Sequence, residues 1–158
     1  MPTQTRLRPK PVLDSGSSFF LTGATGFLGG FLLYELLQQT AATLRCLVRC
    51  ANQEQGMTRL QNNLKRYRLW KDEFADRLIC VLGDLSRPLF GLAPAEFHDL
   101  SSQVDAIYHN GAQVNFIKPY EALKPANVLG RQEVRRSGRY RGGLGPTCTP
   151  HFFCLPSH

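Results

Sequence analysis

The residues Gly23-Ala24-Thr25-Gly26-Phe27-Leu28-Gly29 set three glycines at intervals of three, directly after the apolar run 19–22 and at the head of a stretch with helical spacing. Glycine lets a backbone come close to a pyrophosphate, and a helix N-terminus adds free N–H groups and a partial positive charge. Without a ligand the same residues would be a Gly-rich turn, but the strand before them and the helix after them favour dinucleotide binding. Thr22, Gly23, Thr25, Gly26, Phe27, Leu28 and Gly29 are therefore the first candidate cofactor contacts.

Arg49 stands 20 residues beyond Gly29, at the end of the next apolar run. A dinucleotide fold using NAD usually places Asp or Glu there, on the ribose 2′-hydroxyl, and an Arg instead suits the 2′-phosphate of NADP. Arg59 is a second possible phosphate contact, with a solvated helix face as the alternative. In Gly83-Asp84-Leu85 the carboxylate can accept from an adenine amino group while Leu85 covers the ring; a turn Asp bonded to its own backbone is the alternative. His109-Asn110-Gly111-Ala112 closes a further apolar run, and its small residues allow backbone to approach the cofactor's second ribose, which makes Asn110, Gly111 and Ala112 candidates. A lone His in that place is more often structural than a base.

These residues need a scaffold, and the apolar pattern supplies one. Short apolar runs at 19–22, 44–48, 78–82 and 106–108 alternate with helical spacing at 27–39, 52–69 and 94–100. Such alternation predicts an α/β fold, a Rossmann-like doubly wound parallel sheet, ending after about four strands. Residues 1–17, with Pro2, Pro11, Gly16 and several Ser, read as a linker or arm. Residues 131–158 hold five Arg, four Gly and three Pro without apolar periodicity, so neither helix nor strand is assigned and a disordered or frame-shifted tail is expected.

The chain has 158 residues and a formal net charge of +7. That charge sits in the two ends, because residues 11–130 carry 11 basic and 11 acidic side chains. A basic groove for nucleic acid is not expected. The longest apolar stretch, 27–34, is far short of the roughly 20 residues that span a bilayer, so no membrane segment is expected either. Five cysteines without a Cys-x-x-Cys pair argue against a disulfide scaffold or metal site and for reduced thiols in a cytoplasmic protein.

Taken in order, residues 20–29, 46–49, 83–85, 108–112, 114–115, 119–120 and 126–130 resemble the thioester reductase domains of the extended short-chain dehydrogenase/reductase superfamily, over residues 18–130. The resemblance implies an NADP-binding domain that works at the end of nonribosomal peptide synthetases, polyketide synthases and carboxylic acid reductases. There such domains release an acyl thioester, held on a carrier protein's phosphopantetheine arm, as an aldehyde or alcohol. It implies pyrophosphate contacts at Thr25, Gly26, Phe27 and Leu28, 2′-phosphate contacts at Arg49 and Arg59, adenine contacts at Asp84 and Leu85, and an active-site role for Asn127. On spacing alone, Asn127 is equally a helix cap before Val128.

Superfamily chemistry also needs a Tyr-x-x-x-Lys helix, in which Tyr donates the proton and Lys lowers its pKa. Two such strings occur. Tyr67 with Lys71 lies on the adenine side, and Lys124 of the Tyr120 pair precedes Pro125, which disfavours helical geometry. Both are read as decoys, so this chain is expected to bind NADPH without a complete catalytic set. A non-catalytic nucleotide-binding or interaction module is the alternative.

Overall fold

A computed structural model describes residues 16–111, Gln132 and the backbone of Phe152–Cys154. Strand β1, Ser18–Thr22, is buried at every position. A strand covered on both faces reads as a continuous apolar run, and Phe19, Phe20 and Leu21 meet that demand. Next come helix α1 (Phe27–Gln39), strand β2 (Thr43–Val48), helix α2 (Gln53–Arg66), strand β3 (Leu78–Leu82), helix α3 (Pro94–Gln103) and strand β4 (Ala106–His109). All strands pair in parallel, in the order β3-β2-β1-β4 and then a fifth strand, β5, at Phe152–Cys154.

Alternate side chains divide between two cores. Phe19, Leu21, Leu44 and Cys46 pack with Leu33 and Leu37 of α1 and Leu60 and Leu64 of α2. Phe20, Leu47 and Ile107 point the other way, against Phe90, Phe97 and Leu100. Helices on both faces of a parallel sheet make the doubly wound α/β fold that the pattern predicts.

The four strands expected are all present, and a fifth, β5, adds to β4 through Ile107↔Phe152, Tyr108↔Phe153 and His109↔Cys154. Three residues are too few to show a periodicity, yet their backbone occupies the unpaired edge that β4 would otherwise present. One expectation is corrected, because helix α2 is shorter than 52–69. Asn52 is its N-cap, accepting from the Gln55 N–H at 2.9 Å, and the helix stops at Arg66 because Arg68 turns left-handed at φ 58°. Glu54 in its first turn and Lys65 and Arg66 in its last complement the helix dipole.

Among the described residues no helix is long and apolar enough to cross a membrane. Ala112, Tyr120, Lys124 and Asn127, with residues 1–15 and most of the tail, lie outside the described residues.

Candidate functional site

The glycine loop connects β1 to α1. Gly23 has φ +78°, and a Cβ there would fall 2.7 Å from the Asn110 carbonyl atoms, so only glycine fits between the ends of β1 and β4. Gly29 lies in the first turn of α1, where a Cβ would fall 1.8 Å from the Gly23 carbonyl oxygen, so its bareness lets the helix sit tight against the loop. A 3.1 Å bond from the Gly26 N–H to that same oxygen closes the turn. Gly26 caps α1 without a side-chain hydrogen bond, and the first turn holds no acidic residue. The first N–H groups of a helix have no partner within it. At this end of α1 neither a capping side chain nor an acidic residue meets those groups.

At the carboxyl ends of the strands an open cleft gathers Thr22, Gly23, Thr25, Arg49, Asp84, Leu85 and Gly111, seven of the residues selected from sequence. Leu47, Gly83 and Ser86 line it as well, and the sequence reading gave them no role. Their spacing held the clue. Leu47 is two residues before Arg49 on the same strand face, and Ser86 is two after Asp84, the spacing of an Asx turn.

Thr22 fixes the β4 side of the cleft. Its hydroxyl accepts from the Gly111 N–H at 2.9 Å and lies 2.7 Å from His109 Nδ1, while its carbonyl accepts from the Asn110 N–H at 3.3 Å. His109 is thus a structural partner of β1 within the sheet. On the other side Asp84 Oδ1 accepts from the Ser86 N–H at 2.9 Å and the Ser86 hydroxyl at 2.6 Å, so the turn geometry holds. Burial opposes its ionisation. The two Ser86 bonds, with the charges of Arg49 and Arg87, outweigh burial and hold the carboxyl below its ordinary range.

Phe27 and Leu28 are 66% and 51% exposed, so any contact with a pyrophosphate runs through their backbone. Arg59 does not line the cleft. Its Nη1 donates to the Arg49 carbonyl, and its side chain borders a neighbouring groove with Asn52, Glu54, Gln55 and Thr58. The Tyr67/Lys71 string is taken apart by the fold. Tyr67 is the C-cap of α2 and packs on Phe27 and Phe31, with ring centroids 5.4 and 5.3 Å away, whereas Lys71 donates to Gln38 Oε1 at 3.1 Å. Among the described residues no group of three His, Cys, Asp or Glu is placed to hold a metal ion.

Residues 21–139 match the NAD-binding family described as Male sterility protein. The chain is 54% identical over 116 residues to a linear gramicidin synthase chain of Brevibacillus parabrevis, a match covering 73% of this chain and 2% of that one. It is 43% identical over 124 residues to aldehyde reductase lnbA of Aspergillus flavus, covering 78% of this chain and 12% of the relative. The chain thus spans only a small part of these relatives. Its fold superimposes on the terminal R domain of the myxalamid PKS-NRPS biosynthetic pathway with a TM-score of 0.79 and 49% identity, covering 83% of this chain and 34% of that one.

Proposed function

Because the chain belongs to the NAD-binding family described as Male sterility protein, we propose that it binds NADPH in the cleft at the strand ends and serves the reductive release of a carrier-bound acyl thioester. The observation that carries this reading is the convergence of the glycine loop, Arg49 and Asp84 on one cleft. The thioester assignment draws on the terminal R domain of the myxalamid pathway, and the aldehyde product on the aldehyde reductase relative. In the overall reaction a hydride from NADPH reaches the acyl carbonyl, the C–S bond breaks, and the carrier thiol leaves with a proton as aldehyde forms. A second hydride would give the alcohol.

This chain's residues then divide the work. Thr25, Phe27 and Leu28 offer N–H groups to the pyrophosphate from a loop shaped by Gly23, Gly26 and Gly29. The Arg49 guanidinium pairs with the 2′-phosphate, a charge-assisted contact of the kind that separates NADP from NAD. Arg59, held on the Arg49 carbonyl, adds positive charge beside that place. Asp84 accepts from the adenine amino group and Leu85 lies over the ring. Asn110 and Gly111 pass along the second ribose, a contact assigned to Ala112 as well, and Asn127 serves the reacting end.

A second reading, nucleotide binding without turnover, is favoured by one observation. Tyr67 is the C-cap of α2 and Lys71 lies beyond the helix end, so this string does not make the helical i, i+4 pair that proton donation needs. Titration with NADPH and NADH, followed by an assay of NADPH oxidation with an acyl-pantetheine thioester, separates the two. Binding with turnover supports the reductase, binding alone supports the module, and no binding of either cofactor rejects both.

A further inference from the structure

We propose that Asn63, on α2, is a positioning residue for the pyrophosphate-binding loop; the inference rests on the nucleotide-binding reading above. Its Nδ2 donates to the carbonyls of Ala24 and Gly26, both at 2.9 Å, across 39 and 37 residues of sequence. One amide group thus spends both its hydrogens on two carbonyls of the same loop.

The consequence follows from peptide geometry. In a trans peptide unit the C=O and the next residue's N–H point in opposite directions. Drawing the Ala24 carbonyl toward α2 therefore turns the Thr25 N–H away from it, and at the Gly26 carbonyl, which also accepts from the Gly30 N–H at 3.0 Å, Asn63 and the first turn of α1 together set the Phe27 N–H. The peptide unit between them is set separately, by the Gly26 N–H bonded to the Gly23 carbonyl. Asn63 in effect aims alternate amides of the loop at one place, where an anion at the head of α1 would sit.

The neighbouring residues make room for this contact. Gly30 is buried, and a Cβ on it would fall 2.7 Å from Asn63 Nδ2, so a side chain at 30 would push the amide off the loop. A neutral amide also suits the role. Aspartate has the same shape but would set a carboxylate against two carbonyl oxygens.

The test compares two ligands on the full chain: NADP+, which contains the pyrophosphate, and 2′-AMP, which keeps the adenine, ribose and 2′-phosphate and lacks it. In Asn63→Leu the affinity for NADP+ is expected to fall about tenfold or more, with 2′-AMP affinity essentially unchanged. A residue that merely holds α2 in place would weaken both alike. Asn63→Ser, which is small enough not to crowd Gly30, gives the same selective loss if the Leu variant does not melt cooperatively. Equal weakening of both ligands, or unchanged NADP+ affinity in either folded variant, overturns the role of Asn63 and leaves the nucleotide reading standing. A parent chain that binds neither ligand overturns that reading and this inference with it.

Discussion

Thr22 and His109 are register partners across β1 and β4, and their side chains meet at 2.7 Å where the two strands deliver the chain to the cleft. The same Thr22 oxygen holds the Gly111 N–H. Thr22→Val keeps the shape and removes the hydroxyl, and with it the bonds to His109 Nδ1 and to the Gly111 N–H. A loss of roughly 1–3 kcal/mol is expected, read as a lower urea midpoint at unchanged slope. Thr22→Ser should recover most of it.

Gly29→Ala tests the fit between α1 and the loop. The added methyl would fall 1.8 Å from backbone, the Gly23 carbonyl oxygen, and no side-chain rotation can relieve that. Roughly 1–3 kcal/mol of destabilisation is expected. Cofactor binding should be lost even where the variant still melts cooperatively, because the loop must shift to admit the methyl. Calorimetry on the folded variant checks this, and a parent-like affinity would contradict it.

Arg49 is exposed at the end of β2, where it lines the cleft. Arg49→Ala is expected to cost NADPH binding roughly 1.5–3 kcal/mol and NADH binding little. Parallel titrations read the preference directly. Equal affinities for the two cofactors in the parent chain would remove the 2′-phosphate assignment.

Asp84 predicts an acid limb. Its folded pKa lies below the ordinary value, so the stability it contributes is present above the unfolded pKa, about 3.9, and is lost as pH falls through the folded pKa. Asp84→Asn should therefore melt lower than the parent near neutral pH, and the gap should close on acidification below about pH 4. Ser86→Ala should move that closing point upward, since it removes one of the hydrogen bonds that lower the pKa. A gap that stays constant with pH would show that the Ser86 contacts do not favour the ionised carboxylate.

The strands and the core were legible because a parallel sheet covered on both faces demands apolar runs, as in Phe19-Phe20-Leu21. Most of the cleft was legible because loop, Arg49 and Asp84 each follow a strand, and parallel strands bring their carboxyl ends together. Other features left no periodic trace. The end of α2 depends on the left-handed Arg68, while Leu69 continues the apolar spacing past it. Strand β5 is three residues held by backbone pairing to β4. Asn63 reads as one polar residue on a polar helix, and only the fold shows that it faces the glycine loop.

Cys46 and Cys80 are register partners on β2 and β3, both buried among the residues packed under α1 and α2. Burial, followed by the neighbouring Cys80, pushes the Cys46 thiol far above its ordinary range. Burial also raises Cys80, to about 11, with Cys50 adding to the rise and Arg59 opposing it. Thiolate is the species that reacts with alkylating reagents, so both thiols should be slow for two reasons, access and ionisation. Cys50 is only half-buried in the turn after Arg49, with its Sγ 3.4 Å from the Asn52 carbonyl. Iodoacetamide at mildly alkaline pH, followed by peptide mass spectrometry, should modify Cys50 while Cys46 and Cys80 stay protected until denaturant unfolds the sheet. Because these two thiols lie beneath the helices and away from the cleft, saturating NADPH should slow their labelling only as far as it stabilises the fold. Cys46 or Cys80 reacting as fast as Cys50 in the native chain would mean that β2 and β3 are not packed under α1 and α2 as described.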